Sequence, residues 1–364
     1  MNRDAVIIGA GIIGCAAAYY LALEGVGVTV MDPEGIAAGA SGRNNGLVEH
    51  PYDLATEELF YESVEILGGV MGERFPRAPV GTMLVSLGEA QARALPGFYC
   101  RFPRLGARLL DPREAQAAEP LLGEGVWGCM LDTGHPVSPA VVTGRFAQLA
   151  RRAGARFVLG KAVELVRHGE QVIGARSDGV AYLAGAVVVS AGFRTPQVLR
   201  GIVAPDLVTP LWGVIVRVEL PRRPRHPLIE GALATAHGRG DVVEAPFTLL
   251  DSPSWLAVGS TMLDGERPDG NQWAPRLLAR GTRFVPSIAR ASVGEAMVCA
   301  RPRAFDNRPV LGRAPGQEHV WVASGHGGRG MSVGPASARM LARAILAGSD
   351  AAIPDQLSAA RLPA

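Results

Sequence analysis

The 364-residue sequence has few cysteines, little charge and no visible internal repeat or low-complexity linker. Its four cysteines form no CxxC pair and have no histidine at metal-ligand spacing. We therefore expect neither a disulfide framework nor a metal site, and we expect a reducing, cytoplasmic location. Charged residues make up only 19% of the chain and the net charge is +2, with Lys and Arg scattered. This pattern excludes the basic surface typical of nucleic-acid-binding proteins.

An uncharged run at residues 5–23 resembles a signal peptide or a membrane span in its hydrophobicity. Three glycines interrupt it, and Asp4 stands where a signal peptide would carry positive charge. A second apolar run follows at once and ends in Asp32. We therefore predict a soluble protein without a membrane span.

The hydrophobic pattern predicts an α/β fold. A strand at 4–8, a helix at 12–24 and a strand at 26–31 form a βαβ unit, which is typical of a parallel, doubly wound sheet. Further helices are predicted at 54–70, 138–153, 273–284 and 335–347. Further strands are predicted at 82–86, 126–131, 155–159, 162–167, 186–190, 212–220, 255–259 and 320–324, with a hairpin around 169–179.

The length of 364 residues and 48% hydrophobic content favour two well-packed domains. The segments with parallel-sheet character lie at 1–77, 140–205 and 297–364, and we assign them to a discontinuous nucleotide-binding domain. Segments 78–139 and 206–296 have antiparallel character, and we assign them to a mainly β domain that binds the substrate.

A dinucleotide fingerprint lies between the first strand and the first helix. In Gly9-Ala10-Gly11-Ile12-Ile13-Gly14, the first glycine allows a tight turn, the second lets the backbone approach a pyrophosphate, and the third lets helix and strand pack closely. The helix N-terminus at Ile12 and Ile13 offers N–H groups to the phosphates. Asp32 follows Gly14 by 18 residues and is placed to accept hydrogen bonds from a ribose diol. This motif alone does not separate FAD from NAD, and similar turns also occur for purely structural reasons.

Four further segments carry a resemblance to a known superfamily. They are Gly39-Ala40-Ser41-Gly42-Arg43-Asn44-Asn45-Gly46, Val187-Val188-Val189-Ser190-Ala191-Gly192, the Arg-Pro segment 301–312, and the loop 324–331 with Gly334-Pro335-Ala336. With the fingerprint, they resemble the FAD-dependent superfamily of D-amino-acid oxidase, glycine oxidase and sarcosine oxidase. The resemblance spans nearly the whole chain and implies a Rossmann-like FAD-binding domain interleaved with a mainly antiparallel β substrate domain.

The resemblance also implies which residues hold the FAD. Backbone N–H groups of a glycine-rich loop at a helix start can stabilise negative charge on reduced flavin. A loop used only for tight packing is the alternative for that segment. Beyond the fingerprint and Asp32, the implied FAD-binding residues are Ala40, Ser41, Arg43, Asn44, Asn45, Gly46, Val163, Ala191, Gly192, Gly327, Gly328, Gly330 and Met331.

On the substrate side, the resemblance implies that Arg301 binds the substrate carboxylate through its planar guanidinium. An ion pair that only braces the loop is the alternative role for this arginine. His326 and His50 are weaker catalytic candidates, since a lone histidine often only hydrogen-bonds the backbone. We name no general base. The superfamily often supplies a tyrosine from its middle sheet, and the corresponding stretch here, 241–248, has none.

Cys299 stands two residues before Arg301 and seven before Asp306. In the monomeric sarcosine oxidase branch, a cysteine at this place is thioether-linked to the flavin. The glycine oxidase branch usually has a small residue there, and a small buried filler is the other role open to Cys299.

The resemblance implies oxidation of a CH–NH bond in a small amine or amino acid, with O₂ or another acceptor reoxidising the flavin. The alternatives are a 2-hydroxy acid dehydrogenase of the same fold and a flavin-bearing electron-transfer subunit of a larger complex. The sequence predicts no oligomeric state.

Overall fold

The computed structural model describes residues 4–232 and 244–361. Its α-helices are α1 (Ile12–Leu23), α2 (Ala40–Arg43), α3 (Glu57–Met71), α4 (Glu89–Tyr99), α5 (Pro112–Ala118), α6 (Pro139–Arg152), α7 (Thr195–Val198), α8 (Gly270–Thr282) and α9 (Gly330–Ala347).

The strands of the same residues are β1 (Ala5–Ile8), β2 (Val28–Asp32), β3 (Leu47–Val48), β4 (Thr82–Ser86), β5 (Arg108–Leu110), β6 (Trp127–Leu131), β7 (His135–Pro136), β8 (Arg156–Leu159), β9 (Val163–His168), β10 (Gln171–Ser177), β11 (Val180–Leu183), β12 (Ala186–Val189), β13 (Val208–Glu219), β14 (Leu228–Glu230), β15 (Thr248–Asp251), β16 (Leu256–Gly259), β17 (Ser292–Ala304), β18 (Val310–Arg313) and β19 (Val320–Ser324).

The first sheet has the strand order β18-β19-β12-β1-β2-β8, and its strands are parallel except at the β18–β19 edge. β1 is buried along its whole length, as expected for the centre of a parallel sheet covered by helices. Helices α1, α3, α6 and α9 pack together over this sheet. The prediction of an α/β fold with a doubly wound, mostly parallel sheet is therefore confirmed.

The uncharged run at 5–23 forms part of this layer. It divides into the four-residue β1 and the twelve-residue α1, and most of its side chains lie in the hydrophobic core. Of the helices in residues 4–232 and 244–361, none combines the length and hydrophobicity that a bilayer crossing requires.

The second sheet has the strand order β17-β13-β16-β15-β14-β4-β6-β5, and every pair in it is antiparallel except β14–β4. Its strands come from the two segments assigned to the substrate domain, with one difference. The boundary expected at residue 297 falls inside β17, which pairs with β13 from Ser292 to Ala304. Because this ladder runs without a register shift from Ala296 to Ala304, we propose that the second domain extends to Ala304.

Several elements differ from their predicted bounds. The last helix begins at Gly330 rather than Pro335, which lies inside it and removes one backbone hydrogen bond. Helices α4 and α5 lie in a stretch for which the sequence predicted only short strands. A third, smaller sheet of β9, β10 and β11 contains the predicted hairpin.

Candidate active site

A cavity of about 1180 Å³ opens along the carboxyl ends of β1 and β2 and continues under the second sheet. Ligands of open α/β sheets bind at this end of the strands. The structure places every predicted site residue in the cavity wall except Gly14. One continuous space therefore joins the predicted nucleotide site to the predicted substrate site.

The start of α1 has no room for side chains. A Cβ on Gly9, whose φ is +113°, would lie 2.4 Å from the carbonyl oxygen of Ser190. A Cβ on Gly14 would lie 1.9 Å from the carbonyl oxygen of Gly9, so this glycine serves helix packing rather than the cavity wall. The backbone N–H of Ile12 donates to the Ser41 hydroxyl at 3.0 Å, which ties the 39–46 loop to the helix N-terminus.

Asp32 ends β2 and lines the cavity. Its Oδ2 accepts from the backbone N–H of Ala10 at 2.8 Å, and its Oδ1 accepts from those of Glu34 and Gly35, both at 2.8 Å. These bonds fix the carboxylate beside the glycine turn. Oδ2 accepts only one of these bonds, so it has a second acceptor site that can receive a ribose hydroxyl.

The 39–46 loop is held by one asparagine. The Asn44 side chain donates to the Ala40 carbonyl and accepts from the Gly46 N–H, both at 2.9 Å. Gly46 has a φ of +74°, and a Cβ there would lie 2.4 Å from the Val137 carbonyl oxygen. Arg43 belongs to this loop; it is exposed and forms part of the cavity wall.

The glycine-rich loop near the C-terminus lies on the other side of the cavity. A short 3₁₀ turn, Gly327–Arg329, leads directly into α9 at Gly330, so the first N–H groups of this 18-residue helix face the cavity. His326 is buried at the start of the loop, and burial lowers its pKa to about 4, so the imidazole is neutral at pH 7. Its Nε2 has no hydrogen-bond partner within the described part of the chain. Because His326 also lines the cavity, a ligand bound there could supply the missing partner.

Arg301 projects from β17 on the same face as Cys299, two residues earlier. Its Nη1 donates to the Thr261 carbonyl at 2.8 Å, and its Nη2 donates to the Ser260 hydroxyl at 3.0 Å. Both partners are neutral, and among residues 4–232 and 244–361 the guanidinium forms no ion pair with a carboxylate. Burial lowers the pKa of Arg301, because it disfavours the charged form.

The guanidinium of Arg301 lies flat over the backbone of β13. A Cβ on Gly213 would lie 2.6 Å from three of its guanidinium atoms. A Cβ on Gly328 would lie 3.5 Å from the Arg301 Cδ, so the C-terminal loop approaches the same side chain. The second sheet and the C-terminal loop thus both lie close to Arg301.

The two other candidates differ from Arg301 in their surroundings. Burial raises the pKa of the Cys299 thiol, while Arg301 and Arg43 oppose that rise. The ring of His50 is buried among aromatic residues, and burial lowers its pKa to about 4. Its Nδ1 accepts from the Tyr52 N–H at 3.1 Å, and its Nε2 lies 3.4 Å from Glu57 Oε1. Because the protein uses both ring nitrogens of His50, we propose that it positions its segment rather than reacts.

Sequence reasoning missed several residues that the structure brings to the cavity. Contacts between segments far apart in sequence bring these residues to the cavity, so the sequence around them did not indicate a site. Glu49 is the exception, because it is an acidic residue directly after the apolar pair of β3. The missed residues are Glu49, Tyr52, Gly213, Ser260 and Arg329.

Comparison with known proteins agrees with this geometry. The sequence matches the FAD dependent oxidoreductase family over residues 4–344. It is 23% identical to a glycine oxidase of Bacillus licheniformis, covering 94% of this chain and 93% of the relative. The structure is similar to glycine oxidase from Bacillus cereus ATCC 14579, with a TM-score of 0.84, 21% identity and 98% of each chain covered. It is also similar to iminodiacetate oxidase from Chelativorans sp. BNC1, with a TM-score of 0.81, 25% identity and 98% of each chain covered.

The fold and the cavity define a flavin-dependent oxidoreductase. The chain belongs to the family of FAD-dependent oxidoreductases that includes the glycine oxidases, and its cofactor is FAD. The wall of the cavity fits this cofactor in three respects. The glycine turn at Gly9 and Gly11 leaves space at a helix N-terminus, Asp32 could accept from a ribose hydroxyl, and the start of α9 could donate N–H groups to a flavin ring.

Replacement of the ribose-binding carboxylate tests the cofactor site. Asp32→Ala is expected to weaken FAD retention by roughly 1–3 kcal/mol, because charge-assisted hydrogen bonds to the ribose are lost. The dissociation constant can be measured by titrating apoprotein with FAD and following flavin fluorescence. Glu24→Ala, a change on the exposed end of α1, is the matched control and should leave the constant unchanged. Equal FAD affinity in both variants would contradict the assignment of Asp32.

The Cys299 thiol gives a second test, because a thioether link survives denaturation. We expect acid precipitation to release yellow flavin into the supernatant, since a raised pKa keeps the thiol protonated and weakly nucleophilic. Yellow colour retained in the wild-type pellet but lost from that of Cys299→Ala would show instead a covalent bond at this residue.

Proposed function

We propose that this protein oxidises the CH–NH bond of a small amino acid or amine. The substrate loses a hydride from carbon and a proton from nitrogen, and the resulting imine hydrolyses to a carbonyl compound. Bound FAD supplies the hydride acceptor, the N5 atom of the flavin ring. The names of the relatives, glycine oxidase and iminodiacetate oxidase, support a small amino acid as the substrate.

The observation that carries the proposal is the uncompensated charge of Arg301 in the cavity that also holds the FAD-binding residues. A substrate carboxylate would supply the missing negative charge and form two parallel hydrogen bonds with the guanidinium. Such a pair fixes the orientation of the substrate, and orientation contributes much of the rate in a reaction between two bound partners. Arg301 is therefore proposed to direct the Cα–H bond toward the flavin.

Carboxylate recognition also fits a 2-hydroxy acid, whose CH–OH bond would be oxidised in place of CH–NH. The chain could also serve as an electron-transfer subunit that does not react with a small substrate by itself. The stretch 244–248 contributes no tyrosine to the cavity, and 241–243 lie outside the described residues. The specificity for amine or alcohol therefore depends on other groups of the cavity wall.

An anaerobic screen tests the proposal. Purified holoprotein is mixed separately with amino acids, simple amines and 2-hydroxy acids, and bleaching of the flavin absorption is recorded. We expect a small amino acid to bleach it fastest. Bleaching by 2-hydroxy acids alone would favour the dehydrogenase, and no bleaching by any of them would favour the electron-transfer role. Peroxide release on admission of air would identify O₂ as the acceptor.

The four cysteines of the chain are all free thiols, which supports the proposed cytoplasmic location.

A further inference from the structure

We propose that Glu49 takes the proton from the substrate's ammonium group, so that the amine enters hydride transfer unprotonated. This inference rests on the proposed function and assigns a residue to its first chemical step. An ammonium N–H bond breaks, a carboxyl O–H bond forms on Glu49, and the electron pair stays on nitrogen. That pair becomes part of the C=N bond when the hydride leaves Cα. The proton returns to solvent between turnovers.

The position of Glu49 carries the inference. The residue follows β3 directly, and its side chain lines the same cavity as Arg301. Its backbone N–H donates to the Ser332 hydroxyl at 2.9 Å, which connects Glu49 to the first turn of α9. Glu49 therefore lies beside the helix start to which we assign the flavin ring, and a substrate oxidised there would place its amine nearby.

The carboxyl group of Glu49 accepts a hydrogen bond from a neighbouring tyrosine. The Tyr52 hydroxyl donates to Glu49 Oε1, and Tyr52 also lines the cavity. One carboxylate oxygen is thus occupied by the protein and the other is available to a ligand. A zwitterionic amino acid has one charge of each sign, so Arg301 and Glu49 together are complementary to it.

The titratable and charged groups around Glu49 come from three parts of the chain. Burial raises the pKa of Glu49 to about 7, and the Tyr52 hydrogen bond and Arg329 act in the opposite direction. Tyr52 has a pKa raised well above its usual value, so it remains a neutral donor. Within the described residues, Tyr52 and the neutral His50 come from the segment of Glu49, Arg329 from the C-terminal loop and Tyr99 from α4. Asp53 interacts with Arg329.

The sign of the pH dependence follows from this pKa. Below about pH 7 Glu49 is mostly protonated and cannot accept a proton, and above it the carboxylate is present. The second-order rate of flavin reduction should therefore rise with pH through about 7 and then level off. General bases contribute about 10²- to 10⁴-fold to such rates.

Glu49→Gln keeps the shape of the side chain and removes its basicity. In anaerobic stopped-flow experiments with the best amino acid of the screen, we expect this variant to reduce its flavin at least about 100-fold more slowly at neutral pH. The rise in the flavin-reduction rate near pH 7 should disappear. The rate should then increase only at higher pH, toward the pKa of the free ammonium group. Tyr52→Phe should move the step to higher pH, because it removes a hydrogen bond that lowers the pKa of Glu49.

Two further measurements separate the outcomes. Difference infrared spectra of the substrate-free holoprotein should show a carboxylic acid band that titrates near pH 7 in the wild type and is missing in Glu49→Gln. Glu62→Gln, which removes a carboxylate paired with Arg339 outside the cavity wall, is the control and should keep the wild-type profile. A wild-type rate and pH profile in Glu49→Gln would overturn the role of Glu49 and leave the proposed function intact. If no amine reduces the wild-type flavin, both proposals fail.

Discussion

Arg301→Lys is expected to weaken binding of a carboxylate ligand by about a hundredfold, or ~2.7 kcal/mol, while the flavin spectrum stays native. Lysine keeps the positive charge but has no planar fork, so it cannot form two parallel hydrogen bonds with a carboxylate. It also loses the two bonds that now hold the Arg301 guanidinium to Thr261 and Ser260. The measurement is a titration of oxidised holoprotein with acetate, which is not oxidised, followed through the flavin absorption.

A change that leaves Arg301 in place tests the same geometry. In Gly213→Ala the new methyl group would lie 2.6 Å from the guanidinium, so the guanidinium must leave its position and carboxylate binding should also weaken. Gly294→Ala on β17 is the matched control, because its methyl group would make only an ordinary 3.4 Å contact with Arg217. Unchanged acetate binding in Arg301→Lys, together with a neutral amine as the best substrate, would show that Arg301 does not bind a carboxylate.

Gly14→Ala is expected to lower the free energy of unfolding by about 3 kcal/mol, at the upper end of the range for overpacking, and to release FAD. The added methyl group would lie 1.9 Å from the Gly9 carbonyl oxygen and 2.7 Å from the Ser190 hydroxyl. The Gly9 backbone cannot move aside without changing the turn that approaches the pyrophosphate. Urea unfolding of the apoprotein and the flavin content after gel filtration measure the two effects separately.

Gly144→Ala provides the control for a glycine inside a helix. Its methyl group would contact nothing within 4 Å, and alanine has the higher helix propensity, so stability should stay equal or increase. If Gly14→Ala bound FAD as tightly as Gly144→Ala, close packing at α1 would not be required for the cofactor site.

The parts of the site that are encoded locally could be predicted from the sequence. The glycine spacing, Asp32 and the loop before α9 each depend on the conformation of a few consecutive residues, and all of them face the cavity except Gly14, whose packing role was also expected. Gly213 could not be predicted in this way. Its role depends on the register between β13 and β17, which brings it opposite Cys299 from 86 positions away in the chain.

The fold shows the same division between local and distant information. Helix α5 carries a capping box, in which Asp111 and Glu114 each hydrogen-bond the other's backbone N–H, and this four-residue signal was present in the sequence. The surrounding proline and glycine content led to a prediction of short strands instead. The end of the second domain was harder to infer. The sequence pattern changes from antiparallel to parallel-sheet character at residue 297, but β17 continues through this point without a break.

Because Cys299 and Arg301 lie on the same strand, β17, the distance between them in the cavity wall is fixed. Cys299, where the superfamily can attach its flavin, and Arg301, which we assign to the carboxylate, are two residues apart on one pleated strand, a spacing of about 7 Å. A strand paired along both Cys299 and Arg301 cannot lengthen when the domains move. We propose that β17 thereby sets the distance between the flavin and the substrate carboxylate, with the reacting carbon close to the carboxyl group. On this proposal, α-amino acids would be oxidised in preference to longer ω-amino acids.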